Sequence, residues 1–276
     1  MARTNTLGNF LTDVADAIRE KKGTTDTILA SNFDTEIASI ESGVDINEYL
    51  SDTITKGDAS SPGWSNTIKK MRRPLTVEGT DAEYMFYKCP VNELPQLDTS
   101  NVTDMHYMFN SCTNLTTIPQ LDTSNVTDMH QMFHNCNKIT TVPQINTSNV
   151  TDMELMFSSC TNLTTIPQLN GEKLTNINRT FFGCTSLENF NGLINLGQAY
   201  LTTTSANYNN YKLDLSNSTS LTEQSLINIL NNLYDIATKG CKTQTVTLGA
   251  TNLAKLTSTE GQQALASAQS KGWNIN

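Results

Sequence analysis

Cysteine and histidine are the residue types in this sequence best suited to metal, redox or nucleophilic chemistry, and most of them recur at a fixed spacing. Cys112, Cys136, Cys160 and Cys184 stand 24 residues apart, Cys89 precedes them in the same local context, and Cys241 stands alone. Stacked chain segments lie about 5 Å apart, a distance that permits a disulfide. Side chains in register point the same way rather than at each other, however, and five do not pair evenly. The paired CxxC spacing of a zinc site is also missing. A buried ladder of small hydrophobes is the expectation. His106 and His130 share one repeat position and His134 follows four residues later, a set that could approach a metal geometry. The third copy has Glu154 in their place and the site would be open to water, so exposed polar side chains are expected instead. Asp104, Asp128 and Asp152 form a second column, with Asp98 and Asp122 a partial third. Stacked carboxylates repel unless each satisfies backbone N–H groups or they share a cation such as calcium. Since each precedes an expected helical turn, capping is the preferred role. No GxSxG, phosphate-binding loop, HExxH or GxGxxG fingerprint occurs. The reading is of a protein that is not an enzyme, with no catalytic residue, no cofactor and no metal ligand set.

Neutral side chains form further columns. Asn101, Asn125 and Asn149 suit an internal amide ladder. Thr113, Asn114, Thr116 and Thr117 recur as Thr161, Asn162, Thr164 and Thr165, while the copy between them departs with Asn137, Lys138, Thr140 and Thr141. This hydroxyl- and amide-rich face could hydrogen-bond a glycan or a protein. It could equally be a soluble β face, because Thr favours strands.

These columns exist because the chain repeats. From Leu97 it reads LDTSNVTDMHYMFNSCTNLTTIPQ, LDTSNVTDMHQMFHNCNKITTVPQ and INTSNVTDMELMFSSCTNLTTIPQ, each copy 24 residues long. Degenerate copies flank them, one around Tyr84–Cys89 and one from Leu169 through Phe181 and Cys184 to Leu187. Within a copy the apolar residues fall at Val102, Met105, Met108, Phe109, Cys112, Leu115, Ile118 and Leu121, a spacing near three that fits neither a long helix nor an alternating strand. It fits an α/β solenoid whose coils turn their side chains inward. Leu115–Ile118 is expected as a short parallel strand stopped by Pro119, Asn101–Met105 as an extended piece or turn, and His106–Cys112 as a helical turn. One copy cannot bury its own apolar side, so neighbours must stack.

The flanks differ in kind. Leu7, Phe10, Leu11, Val14, Ala17 and Ile18 share one helical face that ends at Gly23, and a second short helix should start near Asn32 with Phe33, Ile37 and Ile40 inward. Two such helices cannot make a robust domain, so Phe10, Leu11, Val14, Ile18, Phe33 and Ile37 are expected to dock against something. Residues 46–83 read as a linker and irregular cap, 84–200 as the solenoid, and 201–276 as an α/β cap. In that cap Thr222 should start a helix, Thr243–Leu248 should form a strand, and Thr257 with Glu260 suggests a capping box before a last helix after which Trp273 folds back.

With 276 residues and a net charge of −9, the chain is poorly suited to a nucleic-acid backbone or an anionic membrane. The short basic run Lys69, Lys70, Arg72, Arg73 reads as a solvated edge. No stretch reaches the ~20 apolar residues that span a bilayer. The first residues lack the pattern of a secretory signal, so the chain is expected to be made in the cytoplasm and to reach the outside, if it does, without classical secretion.

The repeat Leu-Asp-Thr-Ser-Asn-Val-Thr-Asp-Met-x-x-Met-Phe-x-x-Cys-x-x-Leu resembles the BspA-like leucine-rich repeat family of bacterial surface proteins over residues 84–190. The resemblance implies a curved leucine-rich repeat solenoid and an association with adhesion. The segment ending Lys271-Gly272-Trp273 looks like the closing part of such proteins in phages. Ala15-Asp-Ala-Ile-Arg-Glu-Lys-Lys-Gly23, then Ile28, Asn32-Phe33 and Glu36-Ile37, resembles a module at the start of phage virion proteins from Gram-positive hosts. It implies a tail, baseplate or fibre-type protein on the virion in several copies. Residues 1–45 would attach it to other virion proteins, and the repeats would face a host-surface glycan or protein. A purely structural decoration protein and a cellular adhesin are the alternatives.

Overall fold

The structure, a computed structural model, describes residues 53–54, 75–201, 212–239 and 243–276. Among these residues it is a mixed α/β arrangement of short parallel strand pairs with few helices and no closed barrel. Strands β1 (Thr53–Ile54), β2 (Leu75–Val77) and β3 (Leu97–Asp98) form a parallel sheet that runs into the repeats. In the last copies β4 (Thr165–Ile166) pairs with β6 (Asn189–Phe190), and β5 (Leu169–Asn170) with β7 (Leu193–Ile194). Between them, single parallel bridges join Asp81, Asp104, Asp128, Asp152 and Asn176 in sequence. Pairing is therefore made between equivalent residues of adjacent copies, and each copy is one coil of a stack.

The core follows the apolar spacing. Val102, Met105, Met108, Phe109, Cys112, Leu115 and Leu121 are buried, as are their equivalents in the next copies, while Ile118 is half-buried. Phe86, Phe109, Phe133, Phe157 and Phe181 stack with centroids 5.3, 5.4, 5.7 and 5.9 Å apart, within the range of favourable offset ring pairs. Cys89, Cys112, Cys136, Cys160 and Cys184 are free and buried. Four of them direct Sγ at the carbonyl of Phe86, Phe109, Phe133 and Phe157.

The expected helical turn at His106–Cys112 is a run of overlapping tight turns instead. The N–H groups of Met108, Asn110 and Cys112 donate back to the carbonyls of Met105, Tyr107 and Phe109. Those of Met105, Tyr107, Phe109 and Ser111 donate to Asp128, His130, Met132 and His134 of the next coil at 3.0, 2.9, 3.0 and 2.8 Å. An α-helix keeps its N–H groups within itself, so it could not join coils in this way. The turns require left-handed residues, and Tyr107 (φ 57°), Ser111 (φ 61°) and their equivalents supply them. The strand expected at Leu115–Ile118 is absent from that copy. Regular pairing on that side begins only at Thr141–Thr165 and β4.

The C-terminal part holds α1 (Glu223–Asn231), β9 (Thr245–Thr247), α2 (Gly249–Leu253), α3 (Thr259–Ser270) and β10 (Asn274–Ile275), with β8 (Lys212–Asp214) completing a parallel sheet β10-β9-β8. Thr222 caps α1 as expected, accepting the Ser225 N–H at 3.2 Å. Ser225 Oγ then ties α1 to the repeats, donating to the Glu188 carbonyl and accepting from the Phe190 N–H. The last helix is capped by Ser258 rather than Thr257. Glu223 of α1 takes the Ser258 N–H at 2.8 Å, and Ser258 Oγ accepts from Gly261. Trp273 does fold back: its ring is buried and Nε1 donates to the Tyr234 carbonyl at 2.8 Å. Phe10, Leu11, Val14, Ile18, Phe33 and Ile37, with the helices expected to carry them, lie outside the described residues, as does Cys241.

Candidate binding faces

Most polar side chains that repeat unchanged are engaged between coils. Gln96, Gln120 and Gln144 each donate to the carbonyl of the glutamine one coil on, at 2.8, 2.7 and 3.1 Å. Thr99, Thr123 and Thr147 donate to the next coil, and Thr103, Thr127, Thr151 and Thr175 to the preceding one. The column expected as an internal amide ladder lies at the surface instead: Asn101 and Asn125 are exposed and Asn149 is half-buried, with Asn125 and Asn149 donating to the carbonyls of Ser100 and Ser124. Buried backbone and amide groups must be paired, and a stack of identical coils pairs them by repetition.

The Thr/Asn face falls partly under the same demand. Thr113, Thr116, Thr117, Lys138, Thr140, Thr141, Thr161 and Asn162 are exposed, while Asn114, Thr164 and Thr165 are half-buried. Thr116 and Thr164 donate their hydroxyls to the carbonyls of Asn92 and Thr140, both at 3.0 Å. Asn114 donates to Pro90 and accepts from Lys138 Nζ at 3.0 Å. Beside the glutamine ladder a groove of about 410 Å³ is lined by Gln120, Asp122, Gln144, Asn146, Gln168 and Asn170 among others.

A different face carries the residues that change between copies. Aligning the three near-identical copies gives His106, His130, Glu154 at one position, Tyr107, Gln131, Leu155 at the next, and Asn110, His134, Ser158 three further on. Off this face the larger changes are Lys138 between Asn114 and Asn162, Asn146 after Asp98 and Asp122, and Asn137 between Thr113 and Thr161. The varied side chains touch across coils. Tyr107 Oη accepts from Gln131 Nε2 at 3.0 Å, and Asn110 Nδ2 donates to Gln131 Oε1 at 3.0 Å. The Tyr107 ring stacks on Tyr84 at 4.7 Å. At the far end of the strip Phe182 is exposed, with the Arg179 guanidinium over its ring. Copy-to-copy difference, rather than repetition, was the sequence signal for this face.

The aspartate column runs along its edge. Asp104, Asp128 and Asp152 each accept the N–H of the residue two ahead (3.0, 2.8 and 2.7 Å), so they cap turns rather than helices. Burial first, then the charges of Asp104 and Asp152, raise the pKa of Asp128 despite its bond from His130. Burial opposes the charged form of His106, but contacts to Asp104 (2.5 Å) and Glu83 (2.7 Å) outweigh it and raise the pKa. Burial lowers that of His134. Two trios of metal-ligating side chains come together here, Asp104–His106–Asp128 and His130–Asp152–Glu154.

No curated protein and no solved structure matches the chain. A family model described as "Mycoplasma protein of unknown function, DUF285" matches residues 80–196, the repeats from the Asp81 bridge to Leu196, and BspA-like repeat proteins are in this group.

Proposed function

We propose that this chain is a non-catalytic structural and binding protein built on a BspA-like leucine-rich repeat solenoid and carried on a phage virion. In this reading it is a tail, baseplate or fibre-type appendage present in several copies. Residues 1–45 attach it to neighbouring virion proteins, and the solenoid faces a glycan or protein of the host surface. One observation carries the binding role. The repeated polar side chains are largely engaged between coils, whereas the residues that change most between copies, His106, His130 and Glu154 with Tyr107, Gln131 and Leu155, line one half-buried strip of the surface. A scaffold of constant coils with one varied surface is how repeat proteins present a binding site. The phage setting rests on the resemblance of residues 15–37 to virion modules.

The purified chain should bind host cells and compete with phage adsorption. Replacing Tyr107, Gln131 and Leu155 together by Ala should weaken this more than replacing Thr113, Thr117 and Thr141. A chain that neither binds nor competes would leave a decoration protein, the reading favoured by the partial engagement of the Thr/Asn face. Removing residues 1–45 should keep the chain out of virions, and its recovery in purified particles would refute the attachment role.

A further inference from the structure

We propose that His130, Asp152 and Glu154 bind a divalent transition-metal ion, with Zn²⁺ best fitting the donor set. The three side chains come from two adjacent coils. His130 Nδ1 lies 3.9 Å from Asp152 Oδ1 and 3.9 Å from Glu154 Oε2. Those separations are too long for direct hydrogen bonds. Two ligands of one tetrahedral Zn²⁺, with bonds of about 2.0–2.2 Å, stand roughly 3.3–3.5 Å apart. A closure of about 0.5 Å brings His130 Nδ1 to that spacing from each carboxylate, and one donor atom from each of the three side chains lies within 4.8 Å of the others.

Charge points to the same ion. One coil earlier, His106 closes on Asp104 and Glu83 at 2.5 and 2.7 Å, so its ring nitrogens are taken by its carboxylates. His130 makes no such close contact. Among the described residues no Lys or Arg pairs with Asp152 or Glu154, and the Arg179 guanidinium lies over Phe182. Two carboxylates and an imidazole nitrogen therefore converge with no Lys or Arg between them among the described residues.

The outer contacts orient the donors as metal ligands usually are oriented. His130 Nε2 lies 3.3 Å from Tyr107 Oη, which accepts its N–H in the tautomer that leaves the Nδ1 lone pair toward the carboxylates, while Gln131 Nε2 donates to the same Tyr107 Oη. Asn176 Nδ2 donates to Asp152 Oδ2 and Glu154 Oε2 (2.9 and 3.0 Å), and Asn178 Nδ2 to Glu154 Oε1 at 3.1 Å. Asp152 Oδ1 also accepts the Glu154 N–H. An imidazole donor disfavours Ca²⁺ and Mg²⁺, which take oxygen ligands. The side chains are 23–30% exposed, so water fills the remaining positions. An ion held here clips two coils together. Glu154, which breaks the histidine column in sequence, completes the site.

The test uses the full chain, stripped with chelator and titrated calorimetrically at neutral pH with Zn²⁺, Ni²⁺ and Ca²⁺. One Zn²⁺ or Ni²⁺ should bind per chain and Ca²⁺ should not, and excess Zn²⁺ should raise Tm by mass action. His130→Gln and Glu154→Gln should each weaken Zn²⁺ binding at least about tenfold and remove the Tm gain, while His106→Gln should keep both. Glu154→Gln preserves shape and guards against misfolding of the histidine variant, with circular dichroism checking both. Absence of Zn²⁺ binding to the wild-type chain overturns the proposal, and so does binding unchanged in both variants.

Discussion

The aspartate column shows how the same residue can help or harm at different coils. Asp128 accepts the His130 N–H, yet it is half-buried between two like charges, and its pKa is raised. A carboxyl raised on folding contributes stability below its unfolded pKa, about 3.9, and loses it as pH rises through the folded value. The charge is therefore a cost at neutral pH. Two column positions on, Asn176 performs the same capping without charge, taking the Asn178 N–H. Asp128→Asn should stabilise the chain at neutral pH and lose that advantage near pH 3, as urea melts at both pH values would show. His106 behaves the other way in chemistry but alike in sign. Its raised pKa contributes stability that is full below about pH 6.5 and is lost as pH rises through the folded value. His106→Gln should flatten stability against pH above about 6.5, as urea melts on either side of that pH would show. The cysteines are inert for a related reason. Burial pushes Cys184 up to about 12 and Cys89 up to about 11, and raises Cys112 and Cys160 as well. The thiolate is the reactive form, so these four should resist alkylation in the native chain and label on unfolding, as peptide mapping would show. Labelling at native rates typical of a free thiol would contradict the buried ladder.

At the scale of the element, the overlapping turns decide what the sequence could and could not disclose. Each coil needs left-handed residues four apart, and the later one in successive copies is Ser111, Asn135, Ser159 and Gly183, with φ of 61, 59, 64 and 77°. Only the last is the residue that conformation favours. Ser159→Gly should therefore stabilise the chain by roughly 0.5–1 kcal/mol, and Gly183→Ala should destabilise it by about 1 kcal/mol. Chemical denaturation of the pair against wild type measures both, and opposite signs would mean the turn tolerates side chains for a reason outside its backbone. The same residues explain the misread element. Tyr107 and Ser111 carry no local mark of a left-handed conformation, and a period near three imitates a helical face, so His106–Cys112 reads as helix until the coil-to-coil bonds are seen. The inward positions were legible because burial follows the spacing of Met105, Phe109 and Cys112 directly. Thr222 was legible as a cap because its partner Ser225 is local, whereas Ser258 displaced Thr257 through Glu223, a contact 35 residues away. The trio of His130, Asp152 and Glu154 was hidden likewise, since it forms only when one coil lies on the next.

A stack of this kind should behave as a nearly one-dimensional object, because each coil contacts its neighbours and little else. The equivalence of Leu121 and Ile145 makes a strong test possible. Deleting residues 121–144 joins Gln120 to Ile145 and puts Phe109 against Phe157, Cys160 against the Phe109 carbonyl, and Asp104 against Asp152. Each new neighbour repeats a pairing already present elsewhere in the stack. The shortened chain should fold and melt cooperatively at a lower Tm, having lost one coil and one interface, and scattering should show a stack shorter by about one strand spacing of 5 Å. Disordered or aggregated product would mean that the copies are not interchangeable and that the middle coil holds something the others lack. The deletion also separates architecture from chemistry. It sets His106 beside Asp152 and Glu154, but both ring nitrogens of His106 are already held by Asp104 and Glu83. The shortened stack should therefore keep its fold while losing the Zn²⁺-dependent rise in Tm. A stack that folds and still responds to Zn²⁺ would place the ion away from His130, whatever becomes of the architecture.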